Sequence, residues 1–237
     1  MTFKERFFLN FIKDSRWHYL TDGLLVTLQV TFFAVLIGIV IGVVVAAVRS
    51  THDKVVDKTR SKFARLILKF FNMIANLYLT VIRGTPVTVQ LMIAYYIIFV
   101  TSNNKVLVAV LAFGINSGAY VAEIIRSGIM SVDEGQTEAG RSLGFNYVQT
   151  MFFIVLPQAF KNVLPALANE FIVLLKETSV SGYVALQDLT RGGDIIRGRT
   201  YDAFFPLIAV AGIYLIMVIG FTKLVALIER RLRNSER

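Results

Sequence analysis

The chain has no cysteine in its 237 residues. Disulfides and thiolate-held metal or redox centres are therefore excluded. Histidine is confined to His18 and His52, which have no ligand-like companions, so no metal site is expected. Proline occurs four times. Charge is sparse as well: 17% of residues are charged, against roughly 25% in an ordinary soluble domain. No G-x4-G-K-[ST] occurs, so the chain lacks the loop that would cradle nucleotide phosphates. The N-terminal residues mix both charge signs with aromatics and have no apolar block with a small-residue cleavage site. They read as an amphipathic interfacial segment rather than a signal peptide.

What fills the space is apolar sequence, 55% of the chain. Residues 24–48 hold no charge at all. Residues 106–125 and 204–228 carry one each, Glu123 and Lys223. A bilayer core of roughly 30 Å takes about 20 helical residues, and soluble helices are rarely apolar all round. The expected fold class is an all-α membrane protein with five transmembrane helices in one domain over 1–237. The spans are placed at about 22–48, 77–101, 106–126, 160–183 and 204–228. "RGTP" is expected to open the helix of the second span, with Thr85 as cap and Pro86 at the first helical position. Residues 66–82 are either interfacial or an extension of that span.

Five spans put 49–65, 126–163 and the C-terminal tail on one side, with thirteen Lys and Arg against eight on the other. A sixth span at 67–82 would erase that bias. By the positive-inside rule the N-terminus lies outside and the C-terminus inside. The net charge of +9 then reads as contact with anionic membrane lipid rather than with nucleic acid.

Between the third and fourth spans lies "SVDEGQTEAGRSLGFNYVQTMFFIVLPQA", a connector far longer than the usual 2–8 residues between packed helices. Asp133 and Glu134 suit a helix N-terminus, Glu138, Ala139, Arg141 and Leu143 are helix formers, and Gly144 is placed to stop the helix. Pro157 and Pro165 are expected to interrupt the path into the next span. A short cytoplasmic helix over part of 131–157 would serve as a lever for a partner.

Glu138-Ala139-Gly140, then Gly144, then Ile154-x-Leu156-Pro157 resembles the EAA signature of ABC importer permeases, E-A-A-x3-G-x9-I-x-L-P. The spacing matches throughout, and the only departure is Gly140, where alanine is usual. "RGTP", "NSGAYVAEIIRSGI", "NEFIVLLKETS" and "IERRLR" extend the resemblance to the polar amino-acid uptake subfamily over nearly all of 20–233. It implies a type I importer permease of the histidine, glutamine and arginine type in a prokaryotic cell membrane. Glu138, Ala139, Gly140, Gly144, Ile154, Leu156 and Pro157 would form the coupling segment for an ATP-binding cassette ATPase subunit. The chain would bind no cofactor; ATP and Mg2+ would be used by that partner. It would not itself be an enzyme and would have no catalytic residue. A second permease copy or a related permease, an extracytoplasmic solute-binding protein and an amino-acid substrate complete the expected partners.

Polar groups inside a membrane usually face a cavity or a partner. Asn116, Tyr120 and Glu123 share one helix face by their i, i+4, i+7 spacing. Asn116 lies roughly 15 Å from the cytoplasmic end of its span, and Asn169 and Glu170 lie at similar depth. Asn116, Tyr120, Asn169 and Glu170 are the candidate substrate residues, and cross-helix bonding is the structural alternative. Glu123 suits an ion pair with Arg126. Arg83 and Thr85 are candidate gate residues or helix caps. From the residues alone, a gradient-driven secondary transporter or channel for a small polar solute stays open as an alternative.

Overall fold

The computed structural model describes residues 1–57 and 59–234, apart from the side chains of residues 228 and 231–234. Most of the "IERRLR" stretch therefore lies outside the described side chains. Among the described residues the chain is helix and turn with no strand. In order come α1 (Phe3–Phe7), α2 (His18–Val55), α3 (Lys62–Gly84), α4 (Val87–Ile93), α5 (Lys105–Met130), α6 (Glu134–Ser142), α7 (Tyr147–Thr150), α8 (Leu156–Glu177), α9 (Leu189–Thr200) and α10 (Phe204–Asn234). Among the described residues, five helical runs are long and apolar enough to cross a membrane: His18–Val55, Lys62–Gly84, Lys105–Met130, Tyr147–Val184 and Phe204–Leu227. A shorter apolar helix covers Val87–Ile98.

The second span, expected over 77–101 with a helix opening at "RGTP", comprises two helices that meet there. α3 starts at Lys62 behind a Ser61 cap and ends at Gly84, and α4 begins after Pro86. Proline fixes its own φ and drives the preceding residue into extended backbone; Thr85 sits at φ −123°, ψ 148°. Its hydroxyl donates back to the Val81 carbonyl at 2.8 Å, closing α3, and Pro86 itself occupies the N-cap position of α4. Pro157 and Pro165 behave in the opposite way to the expectation. Pro157 directly follows the π-helical turn Met151–Val155 within the helical run Tyr147–Val184, and Pro165 lies inside α8.

The chain divides into two compact units. One comprises Met1–Leu36, Pro86–Gly114 and Phe171–Leu224. Its core gathers Phe11, Leu20, Leu189, Ile196, Phe205 and Val210. The N-terminal segment is tied to the start of α10 by Arg6, whose guanidinium donates to both oxygens of Asp202 at 2.9 and 2.8 Å. Asn10 donates to Asp202 at 3.0 Å and accepts from Thr200 at 2.8 Å. Those donors hold the Asp202 carboxyl down at about 2. Asp188 caps α9 by accepting from the amides of Thr190 and Arg191. Its burial pushes its carboxyl up to about 6 in spite of those bonds.

The other unit comprises Ile37–Thr85, Ile115–Glu170 and Val225–Arg237. Here α2 and α5 meet at small residues. A Cβ on Gly38 would stand 3.0 Å from Ser117 Cβ, and one on Gly42 only 2.4 Å from Val121 Cγ1. Lipid is as apolar as leucine, so close backbone approach replaces hydrophobic burial as the source of helix contact. The Gly38-x3-Gly42 pattern is thus used within the chain. α3 buries Ala75 and Leu79, while Phe63, Leu66, Phe70, Phe71, Met73 and Leu77 are exposed.

Candidate functional site: a polar cavity and an exposed helical lever

Two features of the second unit stand out. The first is a cavity of about 610 Å³ lined by Arg83, Tyr120, Glu123, Ser127, Ser131, Asn162 and Glu170, with Ile124, Gly128 and Ala166 between them. Arg83 comes from the last turn of α3, Tyr120 and Glu123 from α5, and Asn162 and Glu170 from α8. The Arg83 guanidinium lies over the Tyr120 ring at 5.7 Å, a cation–π arrangement. Glu170 is buried, 8% exposed, and accepts from Ser117 Oγ at 2.9 Å. Glu123 pairs with Arg126 at 2.5 Å, and Arg126 reaches Asp53 at 3.6 Å. The expected Glu123–Arg126 ion pair is therefore present.

A smaller cavity, about 460 Å³, shares Arg83 and Glu123 and adds Arg49, Asn76 and Thr80. Arg49 donates to Asn76. Of the four candidate substrate residues, Tyr120 and Glu170 line the larger cavity. Asn116 is 2% exposed and packed between helices. Asn169 is exposed on α8, because neighbouring helical residues point about 100° apart. Arg83 lines both cavities, whereas Thr85 lines neither. The sequence reading missed Ser117, which fixes the Glu170 carboxylate, and Tyr78, whose hydroxyl donates to the Ile115 carbonyl at 2.5 Å. Ser117 stands beside Asn116, and a hydroxyl at membrane depth was the available signal; the structure buries it fully.

The second feature is the connector. α6 runs Glu134–Ser142, and Asp133 caps it by accepting from the Gly135 amide at 2.7 Å. Its other end is a Schellman cap. The Phe145 amide donates to the Gly140 carbonyl at 3.1 Å and the Gly144 amide to that of Arg141 at 3.0 Å. Gly144 supplies the left-handed turn at φ 87°, the conformation glycine adopts without a Cβ penalty. The chain then re-enters helix at α7 through an Asn146–Gln149 capping box. A π-helical turn, Met151–Val155, leads into α8.

Gly140, the departure from the signature, faces this returning helix. A Cβ there would stand 2.8 Å from both Thr150 Cγ2 and Ile154 Cδ1. The space an alanine methyl would take is filled by these two side chains, so α6 packs on the return helix through a glycine contact. Glu138, Ala139, Leu143, Val148, Phe152 and Phe153 remain exposed. α6 thus presents a short, doubly capped helix whose outer side is open.

This arrangement, five apolar helical runs with a capped helix in the connector before the fourth, defines the membrane subunit of a type I ABC importer. The inward-facing MetNI methionine ABC transporter shares the fold, with a TM-score of 0.75 at 20% identity over 91% of this chain and 97% of that one. The chain belongs to the binding-protein-dependent transport system inner membrane component family, which matches over residues 63–234. It is similar to the putative glutamine transport system permease protein GlnP of Rickettsia prowazekii, 38% identical over 218 residues that cover 90% of this chain and 93% of the relative. It is also similar to the arginine transport system permease protein ArtQ of Bacillus subtilis, 40% identical over 70% of this chain and 77% of that one. A crystal structure of an amino acid ABC transporter with histidines matches with a TM-score of 0.78 and 42% identity, covering 93% and 98% of the two chains. The chain is therefore a membrane-embedded permease subunit, a transport component rather than a catalyst. The gradient-driven alternative is set aside by that membership.

Proposed function

We propose that this permease carries a polar amino acid through the cavity of α3, α5 and α8, driven by ATP hydrolysed in a separate subunit docked on α6. The observation that carries the reading is the cavity's lining: one guanidinium, Arg83, with the carboxylates of Glu170 and Glu123. An amino acid is a carboxylate and an ammonium on one carbon. Arg83 suits the first bidentately, and Glu170, oriented by Ser117, suits the second or a cationic side chain. The volume, about 610 Å³, lies within the range of small-molecule sites. The names of the glutamine and arginine permeases and the histidine-containing transporter support this substrate class.

Tyr120 forms part of the wall, Asn116 stiffens α5, and Asn169 reaches the pathway shared with a second permease, homologous or identical. Arg83 acts as a substrate-binding residue at the mouth, with Thr85 ending the helix that carries it. The N-terminus lies outside, the C-terminus inside, and α3 with α4 makes one crossing, which keeps five spans. A solute-binding protein delivers substrate from outside, while ATP and Mg2+ are used by the partner ATPase. Hydrolysis moves the docked α6, and the Gly140–Ile154 contact passes that motion to the helix continuous with α8.

The experiment is amino-acid binding to the detergent-purified transporter. Arg83→Gln and Glu170→Gln should each weaken binding at least tenfold, a charge-assisted bond contributing about 1.5–3 kcal/mol. Undiminished binding by both variants would sink the assignment of this cavity.

A further inference from the structure

The residues that join α2 to α3 have no part in this transport scheme, yet their composition is one-sided. Residues 54–69 contain six Lys and Arg and one Asp. α3 itself contains no acidic residue. Lys62, Arg65 and Lys69 are all exposed, and their i, i+3, i+7 spacing puts them on a stripe about 60° wide. Among the described residues no carboxylate pairs with any of them; Arg65 donates to the Thr59 carbonyl at 2.8 Å. Immediately beside the stripe, Phe63, Leu66, Phe70 and Met73 are 73%, 66%, 53% and 61% exposed.

A helix facing only acyl chains has no use for three cations, and a helix facing only water does not expose this much aromatic and aliphatic surface. A band of cations bordering a band of apolar side chains matches a phosphate headgroup with its acyl chains. Lys62 and Lys69 are about 10 Å apart along the axis, and a lysine at the deeper position can snorkel back to the headgroup level. A second copy of the chain is the other occupant to consider. A two-fold contact would set this stripe against itself, like charge facing like. We propose that the first two turns of α3 form a binding site for an anionic phospholipid, the basic stripe holding the phosphate and the apolar band holding the tails. The inference uses the chain's membrane setting and is independent of how substrate is recognised.

The test places the assembled transporter in nanodiscs of phosphatidylcholine mixed with phosphatidylglycerol. Lipids that stay bound after transfer to detergent are counted by native mass spectrometry. The wild type should retain phosphatidylglycerol over phosphatidylcholine. Each of Lys62→Gln, Arg65→Gln and Lys69→Gln should reduce that preference about fivefold, the effect of one basic residue near an anionic surface. Lys62→Arg, which keeps the charge, should leave it intact. Equal retention of the two lipids by the wild type, or an unchanged preference in all three glutamine variants, would overturn the site. Because the chain has no cysteine, Leu66→Cys adds a second readout: disulfide-linked permease pairs would put protein on this face and overturn it as well. Amino-acid binding measured on the same samples reports separately on the transport reading.

Discussion

Gly144 gives the sharpest handle on the proposed docking role of α6. Its φ of 87° lies in the left-handed region, and no neighbouring atom comes within 4 Å of where a Cβ would stand. A side chain there meets no steric obstacle, so its whole effect is conformational. Alanine in the left-handed region costs about 1–2 kcal/mol, asparagine less, since it visits that region routinely, and a β-branched valine more. The cost falls on the cap, where the amides of Gly144 and Phe145 satisfy the carbonyls of Arg141 and Gly140. At about 1.4 kcal/mol per factor of ten, Gly144→Ala should lower the population of correctly ended α6 about five- to thirtyfold. Affinity for the isolated ATPase subunit, measured by titration calorimetry, should fall in the order Gly, Asn, Ala, Val. Uptake per ATP hydrolysed should fall in the same order while membrane insertion is unchanged. Valine binding as tightly as glycine, or asparagine losing as much as valine, would refute the cap as the determinant.

Three further outcomes are expected. Gly140→Ala gains about 1 kcal/mol of helix propensity but pushes a methyl to 2.8 Å from Thr150 and Ile154, an overpacking that costs about 1–3 kcal/mol. Thermal unfolding should show the single variant destabilised and the Gly140→Ala, Ile154→Val pair partly restored; strictly additive effects would deny the contact. Glu170→Gln should reduce amino-acid uptake far more than ATPase docking, and equal losses in both assays would make Glu170 a structural residue. Asp188, pushed up to about 6 by burial, binds its proton more tightly folded than unfolded. Stability should therefore fall as pH rises from about 4 to 6, by up to about 3 kcal/mol. Hydrogen exchange across α9 should become faster over that window, and Asp188→Asn should flatten the response; an unchanged slope in the variant would assign it to other groups.

The features legible in the sequence were those set by local chemistry. Uncharged runs announced the apolar helices, because lipid leaves a backbone no partner but itself. Asp133 and Gly144 announced both ends of α6, because caps are recognised by residue type at fixed offsets. Proline was legible in part. Pro86 opens α4 where the sequence placed a helix start, because Thr85 is forced into extended backbone, whereas Pro157 and Pro165 sit within a helix that they do not end. No periodicity separates those two cases. The cavity was legible only in part for a different reason. Tyr120 and Glu170 line it, but Asn169 turns away from it, and Ser117 enters only through its bond to Glu170. Which of two adjacent polar residues faces inward is decided by helix rotation, a tertiary quantity. Gly140 was legible as a departure from the signature, and its compensation by Thr150 and Ile154 was not.

The most direct measurement is uptake of radiolabelled amino acid into proteoliposomes holding this permease, its ATPase partner and its solute-binding protein. The account predicts uptake only when all three are present with ATP and Mg2+, and little or none once Gly144→Val has been introduced. Accumulation driven by an ion gradient without the ATPase, or undiminished ATP-driven uptake by the Gly144→Val permease, would contradict it.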